Sequence, residues 1–160
     1  MDILDEELLG LWESLSKNEV QYIMVGGFAA IMHGISRITQ DVDIWIKDTP
    51  DNRFRLGKTI KELGLGDYES FENMDFIPGW TTIYLGLGLE LDIMTYLKLF
   101  PQTSFDDCYQ KAYKAIINDI SIPFLHINHL MEEKAANSRP KDLLDLEELK
   151  RIIEEEKKQP

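Results

Sequence analysis

An α+β fold is predicted by three features of the sequence. Short apolar or alternating runs of strand length recur between stretches of helical period. One pair of these runs is joined by a glycine-rich turn, as in a hairpin. The stretch 128–156 is helical with a single break. At 160 residues the chain favours one domain, 1–160, with an N-terminal helix in 1–18 and C-terminal helices in 128–156.

The elements follow in order. Residues 4–17 form an amphipathic helix, with Leu4, Leu8, Leu11, Trp12 and Leu15 on one face and Asp5, Glu6, Glu7 and Glu13 elsewhere. Asn18-Glu19 ends it. Residues 20–25, VQYIMV, form a short strand closed by Gly26-Gly27. Residues 28–33 are apolar and helix-prone, and Gly34 stops them. Residues 41–46, DVDIWI, alternate acid and apolar side chains and then stay apolar, as a half-buried strand does. Asp48-Thr49-Pro50-Asp51 makes a turn and a helix start, and Phe54, Ile60 and Leu63 carry that helix to Gly64.

Residues 65–79 are a connection holding Phe71, Phe76 and Pro78. Residues 81–85 and 89–94 pair as a hairpin about residues 86–88. A loop at 101–104 leads to a short helix over 105–112. Two short strands, 115–117 and 122–126, flank Asn118-Asp119. Asn128 caps a helix to about Asn137, and Ser138-Arg139-Pro140 breaks it. The last helix, 141–156, takes its apolar face from Leu143, Leu144, Leu146, Leu149, Ile152 and Ile153, and residues 154–160 read as a frayed charged end.

Composition narrows the function. Apolar residues make up 44% and charged residues 29%, and three Trp, six Tyr and seven Phe supply a core, which excludes a wholly disordered chain. The single cysteine, Cys108, excludes an internal disulfide and any Cys-based zinc cluster, so a reducing cytoplasm is the expected compartment. Seventeen Lys and Arg against 29 Asp and Glu give a net charge of −12. That argues against broad DNA binding or a grip on anionic membrane, while leaving room for a local basic patch or a bound metal ion. The acidic N-terminus is unlike a signal or transit peptide, and no apolar run reaches membrane-spanning length.

The chemistry concentrates in residues 25–46, VGGFAAIMHGISRITQDVDIWI. A strand ends in two glycines, a helix begins, and the next strand opens Asp-Val-Asp. Period 2 puts Asp41 and Asp43 on one strand face. Two adjacent carboxylates repel unless a cation lies between them, and Mg²⁺ takes such an oxygen pair together with substrate phosphates. Gly26 and Gly27 allow close backbone approach, and N–H groups at a helix start bind phosphate oxygens. Singly, a Gly-Gly reads as a turn and an Asp-x-Asp as a solvated strand entry. In combination they read as a metal–nucleotide site.

The string GGFAAIMHGxSRxTxDVDI resembles the DNA polymerase β-like nucleotidyltransferases. It is similar to their minimal prokaryotic branch, which includes the abortive-infection AbiEii-type toxins and related nucleotidyltransferases. The resemblance is strong over this signature and loose over 82–150. It implies a mixed β-sheet flanked by helices, with the C-terminal helices closing the site. It implies transfer of a nucleoside monophosphate from an NTP to a hydroxyl of RNA (a tRNA 3′ end), protein or a small molecule, with Mg²⁺ or Mn²⁺ as cofactor and pyrophosphate released. A toxin or defence setting, with a cognate antitoxin or a homo-oligomer, also follows from it. The alternative is a non-catalytic metal- and nucleotide-binding partner.

The family's third carboxylate falls in LELDIM at Asp92, with Glu90 as the runner-up on the same strand face. Asp41, Asp43 and Asp92 are thus the catalytic and metal-binding candidates. In KAANSRPKDLLDLEEL, the resemblance places Lys134 at a triphosphate oxygen, with Lys141 and Asp142 nearby. Asp145 reads instead as a helix-start acid complementing the dipole. Arg37 and Thr39 join Gly26 and Gly27 as nucleotide-binding candidates, with Arg37 open between a nucleotide contact and a structural ion pair. His33 is expected to pack or cap, His126 and His129 to be structural, Cys108 to be inert and Trp45 to pack under the sheet. Trp80 reads as a buried aromatic, with base stacking as the alternative. Arg55, Lys58 and Lys61 share a helix face with Arg53 close by, which reads as a solvated face rather than an RNA contact.

Overall fold

The computed structural model describes residues 5–66, 80–86 and 88–159. Leu4 of the first helix, the greater part of the connection with Phe71, Phe76 and Pro78, and Leu87 of the hairpin turn lie outside the described residues. The elements are α1 (Glu6–Lys17), β1 (Tyr22–Val25), α2 (Gly26–Met32), β2 (Asp41–Ile46), α3 (Pro50–Glu62), β3 (Trp80–Gly86) and β4 (Leu89–Met94), followed after a 3-10 turn by α4 (Phe105–Lys111), β5 (Tyr113–Ile117), β6 (Ile120–Phe124), α5 (Ile127–Asn137) and α6 (Pro140–Lys157).

The predicted α+β class holds. Six strands make one mixed sheet in the order β3-β4-β2-β1-β6-β5. The pairs β3–β4, β1–β2 and β5–β6 are antiparallel, while β2–β4 and β1–β6 are parallel. The predicted hairpin is present as β3–β4, and the two short strands expected around Asn118-Asp119 pair as β5–β6, each displaced toward the N-terminus from its expected bounds. The central strands β1 and β2 are apolar because they lie between neighbours on both edges, with Ile23, Met24, Ile44, Trp45 and Ile46 fully buried.

Helix α1 packs on the sheet face opposite the acids. Trp12 stacks on Tyr22, and Tyr22 pairs across the ladder with Ile46. Its buried stripe, Leu8, Leu11, Trp12 and Leu15, is the one its 3.6-residue period gives. Helix α3 starts as Thr49-Pro50 dictates: Pro50 takes the first turn, and the Thr49 hydroxyl accepts from the Asn52 N–H. Leu56 and Ile60 are buried, but Phe54 is exposed. Asn52 is buried and ties α3 to the sheet. It accepts from the Gln21 N–H and donates to the Gln21 and Lys47 carbonyls.

Several boundaries differ from expectation. Helix α2 begins at Gly26 rather than Phe28, because the positive φ of Gly26 turns the chain from strand to helix in one residue. The N-cap of α5 is His126, whose Nδ1 accepts from the Asn128 N–H, so Asn128 is inside the helix rather than capping it. Helix α6 runs to Lys157, supported by Arg151 between Glu148 and Glu155 at helical spacing. Ser138 in the left-handed conformation and Pro140 in the first turn of α6 make the break between α5 and α6. No described helix is long and apolar enough to cross a membrane.

Candidate active site

Parallel pairing of β2 with β4 sets Asp41 beside Glu90 and Asp43 beside Asp92. All four carboxylates therefore share one sheet face. Asp41 is exposed, Asp43 half-buried and Asp92 buried, so the acids run from solvent into the fold. The hairpin adds a partner to the deepest one: Thr82 stands opposite Asp92, and its hydroxyl donates to Asp92 Oδ1 at 2.6 Å. The alternation in Asp41–Ile46 also puts Trp45 on the acid face, not beneath the sheet. There it is buried between Phe100 and Phe105, with Nε1 donating to the Thr95 carbonyl.

Asp43 is the electrostatic focus. Removal from water, the neighbouring Asp92 and then Asp41 push its carboxyl up to about 7, and Lys141 opposes this. The two glycines stand where they do because of this chain's own side chains. Gly26 has φ +65°, and a Cβ there would collide with the Asp43 carboxylate. A Cβ on Gly27 would collide with the Arg37 guanidinium, with Thr39 Oγ1 3.4 Å away.

Facing the acids is a wall of cations on α5 and α6. Lys134 is buried, its Nζ 2.7 Å from Asp145 Oδ2 and 3.6 Å from Asp142 Oδ1. Arg139 forks onto Asp142, with Nε donating at 2.5 Å and Nη2 at 3.2 Å. Burial raises the Asp142 carboxyl, but the hydrogen bond and charge of Arg139 and the charge of Lys134 outweigh it, leaving Asp142 below the usual carboxylate range. Arg37 reaches Asp145 at 3.2 Å rather than Asp41 or Asp43. Of the two roles left open for Arg37, an ion pair is thus formed, with a different acid from the pair it precedes.

The ten residues singled out in the sequence line one cleft of about 900 Å³: Gly26, Gly27, Arg37, Thr39, Asp41, Asp43, Asp92, Lys134, Lys141 and Asp142. Glu90 is not part of that lining, which leaves Asp92 as the acid beside Asp43. Asp145 is corrected. It is a 4% exposed acid holding Arg37 and Lys134, and it lies past the first turn of α6, whose acid is Asp142, so the dipole does not account for it. Trp80 is corrected as well, since it is 54% exposed and lines the cleft. Thr82 and Arg139 were not anticipated. The hairpin pairing could have found Thr82, because a strand residue opposite Asp92 must share its face. Nothing local to Asp145 shows its partner Arg37, which lies over a hundred positions away.

The remaining expectations resolve away from the cleft. His33 ends α2, with Nε2 2.7 Å from the Leu125 carbonyl and edge contacts to Phe124 and Tyr113. Burial, and then Asp107, push the Cys108 thiol up to about 11, consistent with an inert role. On α3, Arg53 is buried and paired with Asp48, and Arg55 pairs with Asp51 and donates to the Glu19 carbonyl, while Lys58 and Lys61 are exposed, as a solvated face requires.

Chemically, the cleft has two walls of opposite sign. The sheet wall suits a cation, and the helix wall suits an anion. Among the described residues, no three acids or imidazoles close around a single point as a preformed metal cage would.

A scan against protein-family models gives no match, and a search of curated proteins gives none. Solved structures are similar in fold. The lincomycin-bound lincosamide antibiotic adenylyltransferase LnuA matches with a TM-score of 0.65 at 16% identity, covering 95% of this chain and 99% of that one. The antibiotic-resistance factor ANT(2'')-Ia, in complex with adenylyl-2''-tobramycin, matches with a TM-score of 0.58 at 13% identity, covering 91% of each chain. A candidate nucleotidyltransferase from Thermotoga maritima matches with a TM-score of 0.54 at 15% identity, covering 92% and 91%. The mixed sheet with flanking helices is therefore the nucleotidyltransferase fold.

Proposed function

We propose that this chain is a metal-dependent nucleotidyltransferase that moves a nucleoside monophosphate from an NTP to a hydroxyl of a small molecule, releasing pyrophosphate. The observation that carries the reading is the register pairing of Asp43 with Asp92, which gathers three carboxylates on the cleft wall facing Lys134 and Lys141.

The donor set fits Mg²⁺ or Mn²⁺. Hard oxygen ligands crowd together, burial and then the neighbouring acids push the Asp43 carboxyl up to about 7, and Mg²⁺ commonly uses one or two carboxylates and completes its shell with water and phosphate. That chemistry explains why a complete protein cage is not needed. Asp41, Asp43 and Asp92 would hold the metal, which when bound neutralises the triphosphate and lowers the pKa of the acceptor hydroxyl. Asp92, which accepts a hydrogen bond from Thr82, would take the acceptor's proton. Gly26 and Gly27 leave the backbone open beside Asp43 and Arg37, where the polyphosphate would lie. Lys134, Lys141 and Arg37 would neutralise its outer oxygens.

A small-molecule acceptor is supported by three points. The cleft volume is that of a small-molecule pocket. The net charge of −12 disfavours a long nucleic acid. Two similar solved structures are antibiotic adenylyltransferases whose extent this chain almost matches. The toxin setting, with a cognate partner, rests on the motif resemblance alone.

The test supplies each of the four NTPs, labelled at the α-phosphate, with Mg²⁺ or Mn²⁺. Acceptors are a panel of hydroxylated small molecules including lincosamides and aminoglycosides, and separately bulk tRNA and protein. Label on a small molecule, lost in Asp41→Asn/Asp43→Asn, is the expected result. Label on tRNA or protein overturns the acceptor class. Metal-dependent NTP binding with no transfer to any acceptor favours a binding module, and no binding at all overturns the reading.

A further inference from the structure

Two buried acids, Asp142 and Asp145, lie beneath the cation wall. Among the described residues they pair with buried Lys134, half-buried Arg37 and exposed Arg139. All three cations line the cleft. The Arg37 Nε is buried and has no hydrogen-bond partner. The acid wall is within electrostatic range, since Asp43 is among the acids that raise Arg139.

Asp145 joins the two cations that come from different parts of the chain. Lys134 projects from α5 and Arg37 from the loop between α2 and β2, and both meet Asp145 on α6. Asp145 does not itself line the cleft. Its partners do, and Arg37 lies against Gly27 beside the acid pair.

We infer that Asp145 is a positioning residue, which holds Arg37 and Lys134 side by side as a preset pair for the outer phosphates of an NTP. This rests on the nucleotidyltransferase reading and deepens it. One acid fixing two cations from separate segments spares the ligand the cost of ordering two long side chains. It also ties α6 to the glycine turn, so the cation wall keeps its distance from the acid wall. The pair contacts phosphates beyond the first, so it discriminates by phosphate number and is indifferent to the base.

The test measures Mg²⁺-dependent binding by calorimetry on the full chain, with the best-bound NTP and the corresponding NMP. Asp145→Asn is expected to weaken NTP binding by roughly tenfold or more, the worth of a charge-assisted contact, with NMP binding unchanged. Asp145→Glu is expected to recover part of the loss. Because Asp145→Asn strands the buried Lys134, it is paired with Arg37→Gln, which leaves the Lys134–Asp145 contact intact and is expected to show the same selective loss. Folded variants that bind NTP as the wild type does, or that lose NTP and NMP alike, overturn the inference. So does failure of both variants to fold, which would make the network a stability device. A wild-type chain that binds no NTP overturns the nucleotidyltransferase reading itself, an outcome distinct from equal binding by wild type and variants.

Discussion

Asp43 and Asp92 are direct neighbours across the parallel β2–β4 ladder, and burial together with that neighbour raises the Asp43 carboxyl from 3.8 to about 7. Burial is the larger cause and the Asp92 charge the next. The native fold therefore favours protonated Asp43. The stability this gives is fully present below about pH 4 and is lost as pH rises through about 7, a change on the order of a few kcal/mol. Thermal unfolding in EDTA is expected to show Tm falling across that window. Asp43→Asn should flatten the fall and be more stable than wild type at pH 8. Mg²⁺ should raise the wild-type Tm more at pH 8 than at pH 5, since only the ionised site binds it. A Tm independent of pH between 4 and 8 contradicts this account.

Gly26 sits at φ +65° against the Asp43 carboxylate. Gly26→Ala adds a left-handed backbone cost of about 1–2 kcal/mol and displaces the carboxylate. Urea unfolding should show a lowered midpoint, and the proposed nucleotidyl transfer should fall further than stability does. Gly10→Ala is the contrast, because Gly10 lies within α1 with open space around it. It should stabilise by roughly 0.5–1 kcal/mol.

Trp80 is half exposed and lines the cleft, so its indole is available to a ligand rather than committed to the core. Trp80→Ala should change the unfolding free energy by less than about 0.5 kcal/mol. It should raise KM for the substrate that stacks there by roughly 3- to 10-fold with kcat retained, the worth of one aromatic contact. A large loss of stability with unchanged KM would return Trp80 to the core.

Cys108 is buried and its thiol is pushed up to about 11. At pH 8 it should react with a disulfide reagent only slowly in the native protein and at once in urea. Alkylation of the native protein should leave transfer activity unchanged.

Much of this was legible locally. Gly-Gly followed by Asp-x-Asp located two of the three acids on the sheet wall of the cleft, because a strand's period of 2 fixes which side chains share a face. Thr49-Pro50, the leucine stripe of α1 and the Ser138–Pro140 break were equally readable, since caps and periodicity act within a few residues. Asp145 was misread for the opposite reason. Near a helix start it has an adequate local explanation, and what makes it a buried ion-pair acid is Arg37, brought in by the packing of α6 against the turn after α2. Trp80 was misread because burial depends on what covers a strand, not on the strand's own residues.

The sequence by itself determined the α+β class, the strand-and-helix order and the ten residues that come to share a cleft. Tertiary structure decided the rest. Parallel pairing of β2 with β4 put Asp92 rather than Glu90 beside Asp43, because register is set by which apolar faces meet. Folding of α5 and α6 over the sheet converted scattered Lys, Arg and Asp residues into a cation wall opposite the acids. Charge is a local property of the chain, but its partners, its burial and its pKa are set by contacts between residues far apart in sequence.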